Sequence, residues 1–231
     1  ESLVDVTRRL CAAAAAVYGV DKDNITAGNG SDELLSMLLR CFVGPGDRVA
    51  YPVPTYSLYD TLVEIQAGVA ARVPFSEDFS IPEGLASQEA PLTFLCNPNA
   101  PSGTLVALPE IVKLAGAVAG ILVVDEAYVD FAATEGASSI PLIRQLPNLI
   151  VLRTLSKSFS LAGMRIGLAC ASADIIAGMN KVRDSYNLDR WSIAAGTAAL
   201  QDWAWKRRNA GQIQHSRQRI ANGGKRLGYQ V

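Results

Sequence analysis

The chain has 231 residues, 49% of them hydrophobic and 19% charged, which supplies a sizeable core and excludes a disordered tail. Its 21 basic and 22 acidic residues leave a net charge of −1, which argues against a polyanion binder over its whole length. The longest apolar run, residues 114–124, is well short of the ~20 residues of a membrane span, and the single histidine, His215, removes Ser-His-Asp triads, Cys-His dyads and multi-histidine zinc sites together.

Leu3, Val6, Leu10, Ala14 and Val17 recur at helical spacing and stop at Gly19, which predicts a glycine-capped helix. A short strand over 24–27 runs into Gly28-Asn29-Gly30, after which Ser31 is placed to cap a helix reaching Phe42, with Asp32 and Glu33 in its first turn. Gly44-Pro45-Gly46-Asp47 reads as a turn before a strand at 48–51, followed by a helix over 56–66 and a strand over 70–75. Next come a buried-type strand at 92–96, a helix at 109–118, and an apolar strand at 121–125 that ends on a carboxylate. Strands at 149–154 and 165–171 and a helix at 173–183 complete the pattern. Continuous apolar strands separated by helices imply an α/β fold, a mostly parallel sheet covered on both faces.

Residues 203–231 carry seven cations and no acid, which reads as a solvated basic helix face rather than a nucleic-acid arm, with a boundary near Asp202. Cys11, Cys41, Cys96 and Cys170 lie in apolar stretches without metal-ligand or C-x-x-C spacing. They read as buried free thiols of a reducing cytosol, with no metal site. No signal-peptide pattern leads the chain, and its start at Glu1 rather than Met suggests a trimmed N-terminus.

In open α/β sheets ligands gather outside the carboxyl ends of the strands, and four clusters fall at such ends. Gly28-Asn29-Gly30-Ser31-Asp32-Glu33 joins a strand to a helix N-terminus, where free N–H groups and the helix dipole favour a phosphate. Glu33 stands where a dinucleotide fingerprint needs its third glycine, so the loop is either a phosphate cup or an ordinary tight turn. Asp125 ends so apolar a strand that its charge needs a partner, although an isolated Asp there could simply cap a loop. Lys157, among small hydroxyl residues just past a buried strand, could be a Schiff-base amine or a plain solvated lysine. Tyr56, alone, is a packing aromatic as readily as a ring-stacking platform. Together, with Arg165 eight residues after Lys157, these are the parts that pyridoxal phosphate requires: an imine-forming amine, a carboxylate for the pyridine nitrogen, a phosphate cup and an aromatic.

The chain resembles fold-type I pyridoxal-phosphate aminotransferases, and within them the histidinol-phosphate aminotransferases. Five segments carry the resemblance, in the family's order: residues 26–33, Tyr51-Pro52-Val53-Pro54-Thr55-Tyr56, residues 97–103, Val124-Asp125-Glu126-Ala127-Tyr128 and Arg153-Thr154-Leu155-Ser156-Lys157. The resemblance implies a seven-stranded-type sheet and pyridoxal 5′-phosphate as cofactor. Lys157 would hold the cofactor as a Schiff base and shuttle the proton, Asp125 would pair with the pyridinium nitrogen, Tyr128 would bond the ring 3-oxygen and Tyr56 would stack on the ring. The phosphate would rest on the backbone of Gly30, Ser31 and Asp32 and on the side chains of Thr154, Ser156 and Arg165.

It further implies a cofactor-binding large domain over 1–202, then a basic helix over 203–231 that opens a small domain cut short at Val231. Missing with that domain would be the arginine that clamps the substrate carboxylate, and missing before Glu1 an N-terminal arm. The expected reaction transfers an amino group from L-histidinol phosphate to 2-oxoglutarate, in histidine biosynthesis, as a cytoplasmic homodimer that binds neither nucleic acid nor membrane. Another aminotransferase, an amino-acid phosphate decarboxylase of the same architecture, or a non-catalytic paralogue are the rival readings. One departure stands out: Ala100-Pro101-Ser102-Gly103 replaces the family's Asn-Pro-Thr-Gly, so the amide that usually meets the ring 3-oxygen is missing, while neighbouring Asn99 should point elsewhere.

Overall fold

The computed structural model describes residues 3–229, and their side chains from Val6 onward. Glu1, Ser2, Gln230 and Val231, the outermost residues of the two expected domain spans, lie outside the described residues, as does the side chain of Leu3. Among the described residues seven α-helices and seven strands follow in chain order: α1 (Leu3–Tyr18), β1 (Ile25–Asn29), α2 (Gly30–Phe42), β2 (Arg48–Val53), α3 (Leu58–Ile65), β3 (Val69–Pro74), β4 (Leu92–Cys96), α4 (Leu108–Ala117), β5 (Ile121–Asp125), β6 (Leu149–Thr154), β7 (Ile166–Cys170), α5 (Ala173–Val182), α6 (Arg190–Gln201) and α7 (Trp203–Arg226). The strands form one sheet in the order β1-β7-β6-β5-β4-β2-β3. From β3 to β6 every pair is parallel, while β7 runs antiparallel to both β6 and β1. The mostly parallel α/β sheet expected from the sequence is therefore what forms.

Parallel strands need both faces covered, which is why β4 and β6 are buried along their whole length, and antiparallel β7, lying inside the same sheet between β1 and β6, is buried with them. Alternate residues of β5 and β6 feed two cores. Leu122, Val124, Leu149 and Val151 pack with Leu10 and Ala14 of α1, Ile111 of α4 and Ile193 of α6. Val123, Ile150 and Leu152 face the other way, toward Leu34 and Leu38 of α2, Val63 of α3 and Met179 of α5. A one-residue slip would exchange these two sets, so the register is strongly specified.

Three local readings change. The expected tight loop at Gly28-Asn29-Gly30 is strand up to Asn29, because β7 pairs along it (Gly28 opposite Gly167, Asn29 opposite Ile166). The helix then begins at Gly30, so Ser31 lies in its first turn rather than capping it; the Asn29 side chain makes no cap bond, and Glu33 Oε2 instead accepts the Asn29 N–H at 2.5 Å. Cys11, Cys96 and Cys170 are buried free thiols as expected, but Cys41 is only half-buried. No helix among the described residues is long and apolar enough to cross a membrane.

The C-terminal basic segment is the helix α7, but it is not solvated throughout. Lys206 is buried, its Nζ 2.6 Å from Asp130 Oδ1 and 4.3 Å from the centre of the Trp203 ring. Asn209 donates to the carbonyl of Ser158 at 2.6 Å and Gln214 to that of Ala132 at 2.9 Å, so the first half of α7 is docked onto the loops that follow β5 and β6.

Candidate active site

The topology gathers chemistry at one edge of the sheet. The carboxyl ends of β4, β5 and β6 bring Cys96, Asp125 and Thr154 there, with Cys96 directly opposite Asp125 in register. Antiparallel β7 starts at that same edge, so Arg165 arrives just before it, and β1 ends there in the N-terminus of α2. Between them lies a cavity of about 160 Å³ lined by Ser31, Asp32, Tyr56, Cys96, Ala100, Asp125, Ala127, Tyr128, Thr154, Ser156, Lys157 and Arg165. Every side chain expected to bind cofactor is in that wall, and Gly30 lies directly behind it.

Gly30 needs a correction. Its N–H donates to the carbonyl of Arg165 at 2.9 Å, so it is not available to a ligand. Its contribution is steric: φ is +77°, and a Cβ there would come within 2.5 Å of the Arg165 guanidinium. Gly167 is equally constrained, since a Cβ on it would lie 2.4 Å from the carbonyl carbon of Gly30. These two glycines let β7 and the first turn of α2 meet backbone to backbone. The end expected to take the phosphate is left with the first-turn N–H groups of Ser31 and Asp32, the positive end of the α2 dipole, and Arg165.

Arg165 is held in place by an ion pair to Asp32 Oδ2 at 2.8 Å, and the other Asp32 oxygen accepts from Tyr56 Oη at 3.2 Å. The Asp32 side chain, which sequence reasoning overlooked in favour of its backbone, thus orients two neighbours at once. Thr154 Oγ1 donates to the carbonyl of Ile166 at 3.3 Å and accepts the N–H of Ser156 at 3.2 Å, fixing the turn that leads to Lys157. The Lys157 amine sits 5.0 Å from the centre of the Tyr128 ring, and among the described residues no carboxylate pairs with it.

Asp125 is buried at the far side of the cavity. Its Oδ2 accepts from Tyr59 Oη at 3.0 Å and its Oδ1 from the N–H of Ala127 at 3.2 Å. Burial pushes its carboxyl up to about 6, opposed by the bonds from Tyr59 and Ala127 and reinforced by Asp32 and Glu126. No cation among the described residues neutralises it, so the site presents a buried carboxylate whose charge a cationic ligand would stabilise. Cys96 also lines the floor, its thiol pushed up to about 12 by burial and by Asp125, so it is an unreactive thiol there. Ala100 is in the wall and offers no amide. Asn99 does point away: its amide donates to Pro54 O (3.1 Å) and Ser102 Oγ (3.0 Å) and accepts from Thr55 Oγ1 (2.8 Å), a clamp between two loops.

Beneath the site runs a buried ion network that the sequence reading did not contain. Arg153 bridges Asp130 (2.7 Å) and Glu126 (3.3 Å) and lies over the Tyr18 ring at 5.1 Å. Asp130 also receives Lys206 and Ser158 Oγ (2.5 Å), and Glu126 receives Ser138 Oγ (2.6 Å) and Ser139 Oγ (2.7 Å). A single residue, Val129, separates Asp130 from Tyr128, and Ser158 follows Lys157, so this network anchors both flanks of the cavity. The only signal was the density of charge in otherwise apolar segments.

An anion cup, an unpaired amine, a lone buried carboxylate and two tyrosines around one small cavity suit a flat aromatic cation that carries a phosphate arm and a carbonyl. Comparison with known proteins agrees with that chemistry. Residues 4–231 match the family described as aminotransferase class I and II. A histidinol-phosphate aminotransferase of Citrifermentans bemidjiense is 47% identical over 219 residues, which are 94% of this chain and 61% of that protein. One of Geotalea daltonii is 43% identical over 95% of this chain and 62% of its own length. The crystal structure of histidinol-phosphate aminotransferase from Sinorhizobium meliloti in complex with pyridoxal-5′-phosphate superposes with a TM-score of 0.91 at 31% identity, over 96% of this chain and 62% of that one. The chain thus spans somewhat under two thirds of the length of these relatives.

Proposed function

The chain belongs to the aminotransferase class I and II family, and from that premise we propose that it is the cofactor-binding part of a pyridoxal-phosphate aminotransferase. Its amino donor is L-histidinol phosphate and its acceptor 2-oxoglutarate, with imidazole acetol phosphate and L-glutamate as products. The observation that carries the reading is the meeting of Lys157 and Asp125 in one cavity opposite the N-terminus of α2. The relatives at 43% and 47% identity support the choice of donor.

When bound, pyridoxal phosphate supplies an aldehyde with which amines condense and a pyridinium ring that draws electrons from the bonds at that carbon. The protein supplies the rest. Ser31 and Asp32 N–H, Thr154, Ser156 and Arg165 hold the phosphate, which fixes the ring in the cavity. Asp125 keeps the ring nitrogen protonated by meeting it as a carboxylate. Tyr56 covers one face, and Tyr128 donates its hydroxyl to the ring 3-oxygen, the side where Ala100 offers nothing. Lys157 Nζ would anchor the cofactor through its aldehyde and, when free, would serve as the base that takes the proton from the donor α-carbon and gives it back as an acid.

The domain organisation belongs to the same proposal. Residues 1–202 form the cofactor domain and α7 leads from it into a second domain that carries the clamp for the carboxylate of the 2-oxoglutarate and glutamate pair. Two such chains pair as a homodimer in the cytoplasm, where the four free thiols are at home. The test is a steady-state assay of the full-length protein with a panel of amino donors and 2-oxoglutarate. Histidinol phosphate should give the highest kcat/KM by at least about tenfold, the worth of one well-made extra contact. A better donor in the panel overturns the substrate, and glutamate formation without added or bound pyridoxal phosphate overturns the cofactor.

A further inference from the structure

We propose that Tyr59 is a positioning residue of this site: its hydroxyl sets the Asp125 carboxylate and its ring sets Tyr56, so one buried side chain aligns the groups that meet the cofactor's nitrogen and its face. The proposal rests on the reading of the cavity as a pyridoxal-phosphate site, and it assigns a role to a residue outside the cavity wall.

The geometry is that of a fixed post. Tyr59, in the first turn of α3, is fully buried. Its ring stacks on Phe94 of β4 with centroids 4.7 Å apart and planes 18° apart, and Tyr51 of β2 meets it edge-on at 5.8 Å. Tyr51 is itself tied to Asp60 of α3 by a hydrogen bond, and Asp60 to Arg72 of β3 at 2.6 Å, so α3 is pinned to the sheet on both sides of the ring. From that post, Tyr59 Oη reaches Asp125 Oδ2 at 3.0 Å, and its ring takes the edge of Tyr56 at 5.6 Å and 86°.

A phenylalanine would fill the same space, so packing alone does not call for the hydroxyl. What the hydroxyl adds is orientation and charge. With Ala127 N–H on Oδ1 and Tyr59 on Oδ2, neither carboxylate oxygen can swing away. The other groups that face Asp125 work against its ionisation: Asp32 from α2 and Glu126 beside it raise its carboxyl, and Cys96 from β4 and Tyr56 offer no positive charge. Tyr59 is the only side chain among the described residues that donates to it. Without that bond the carboxyl protonates more readily, and a protonated Asp125 no longer holds a proton on the ring nitrogen.

The experiment compares full-length wild type, Tyr59→Phe and Tyr51→Phe. Tyr51 is the control: a buried tyrosine in the same aromatic cluster whose hydroxyl goes to Asp60 instead. In the cofactor-free proteins, the Asp125 midpoint is read by carboxyl 13C NMR, with Asp125→Asn identifying the resonance. In the loaded proteins, pyridoxal-phosphate dissociation is followed by absorbance, and kcat and KM are measured. Tyr59→Phe should raise the Asp125 midpoint by about one pH unit, speed cofactor loss roughly tenfold and lower kcat with KM for the donor little changed, as befits one lost hydrogen bond to a charged group. Tyr51→Phe, which leaves Asp60 paired with Arg72 and the Tyr59 hydroxyl on Asp125, should shift each of these several-fold less than Tyr59→Phe. An unmoved Asp125 midpoint in Tyr59→Phe, or equal effects from both variants, would overturn the proposal. If wild type takes up no cofactor the reading of the site fails, while the NMR midpoints still decide the Tyr59–Asp125 link.

Discussion

Asp125 shows how much a single residue can imply and how much it hides. A carboxylate closing the run Ile-Leu-Val-Val is conspicuous in sequence because burying it costs several kcal/mol unless something answers its charge. Lys157 was legible for a related reason, an amine placed among small residues just after a buried strand. Tyr59 was not: a tyrosine inside an amphipathic helix looks like any other core aromatic, and only the fold reveals that its hydroxyl meets Asp125. The raised Asp125 carboxyl has a consequence that can be measured. It ionises near 3.8 in the unfolded chain and near 6 in the folded, cofactor-free protein. Its contribution to stability is therefore complete below about pH 4 and is lost as pH rises through about 6, a loss of up to about 3 kcal/mol. Thermal melts of the cofactor-free protein should show this decline, and Asp125→Asn should lack it. Equal pH profiles for the two would mean that the carboxyl is solvated. In the loaded enzyme the same variant should lower kcat by on the order of 10²-fold, because a neutral amide does not stabilise positive charge on the ring.

At the scale of elements, the strands were read best. β4, β5 and β6 carry uninterrupted apolar runs, and their limits in the structure are those the sequence predicts. α6 escaped because Ala and Gly dominate it and leave no apolar stripe to count, although Gly196 packs so tightly that a Cβ would lie 2.4 Å from Ile166 Cδ1. α7 was located by its charge, but the same charge disguised Lys206, whose partner Asp130 is far away in sequence. The meeting of β7 with α2 should be intolerant of bulk. Gly167→Ala places a methyl against the Gly30 backbone, and forcing it in should cost about 1–3 kcal/mol and weaken pyridoxal-phosphate binding by displacing Ser31. Urea denaturation and a cofactor titration measure the two effects, and a variant as stable and as tight as wild type would show that the contact is looser than drawn.

The ion network makes a second claim at this scale. Burial pushes the Asp130 carboxyl up, but Arg153 and Lys206 outweigh it and hold it down at about 2. Its contribution is present above about pH 4 and is lost as pH falls through about 2. Asp130→Asn strands Lys206 in a dry site and should cost about 3–5 kcal/mol at neutral pH. Adding Lys206→Met should recover part of that loss, since it removes the stranded charge. A double variant no more stable than the single one would contradict the pairing.

For the molecule as a whole, the sequence was enough to reach an α/β sheet with its chemistry at the carboxyl ends of the strands, because both follow from apolar runs and their punctuation. The two departures at the site, Ala100 without an amide and Gly30 with its N–H already bonded, needed coordinates or a family pattern to be noticed. Cofactor attachment and substrate capture should be separable. The groups proposed for the first lie between Gly30 and Arg165, whereas the clamp is proposed to lie outside these 231 residues, in the part of the relatives' length that the chain does not span. The 231-residue chain should therefore bind pyridoxal phosphate yet transaminate negligibly, since positioning of this kind can be worth on the order of 7–11 kcal/mol in well-oriented cases. Near-normal turnover by this segment would place the carboxylate site within it.

Everything proposed for the site passes through one amine, so the most direct measurement is to trap it. Borohydride reduction of the cofactor-loaded protein followed by peptide mass spectrometry should find the pyridoxyl adduct on Lys157, and Lys157→Ala should yield none while Lys113→Ala and Lys181→Ala remain labelled. An adduct on any other lysine, or a wild-type protein that takes no label, would contradict the account.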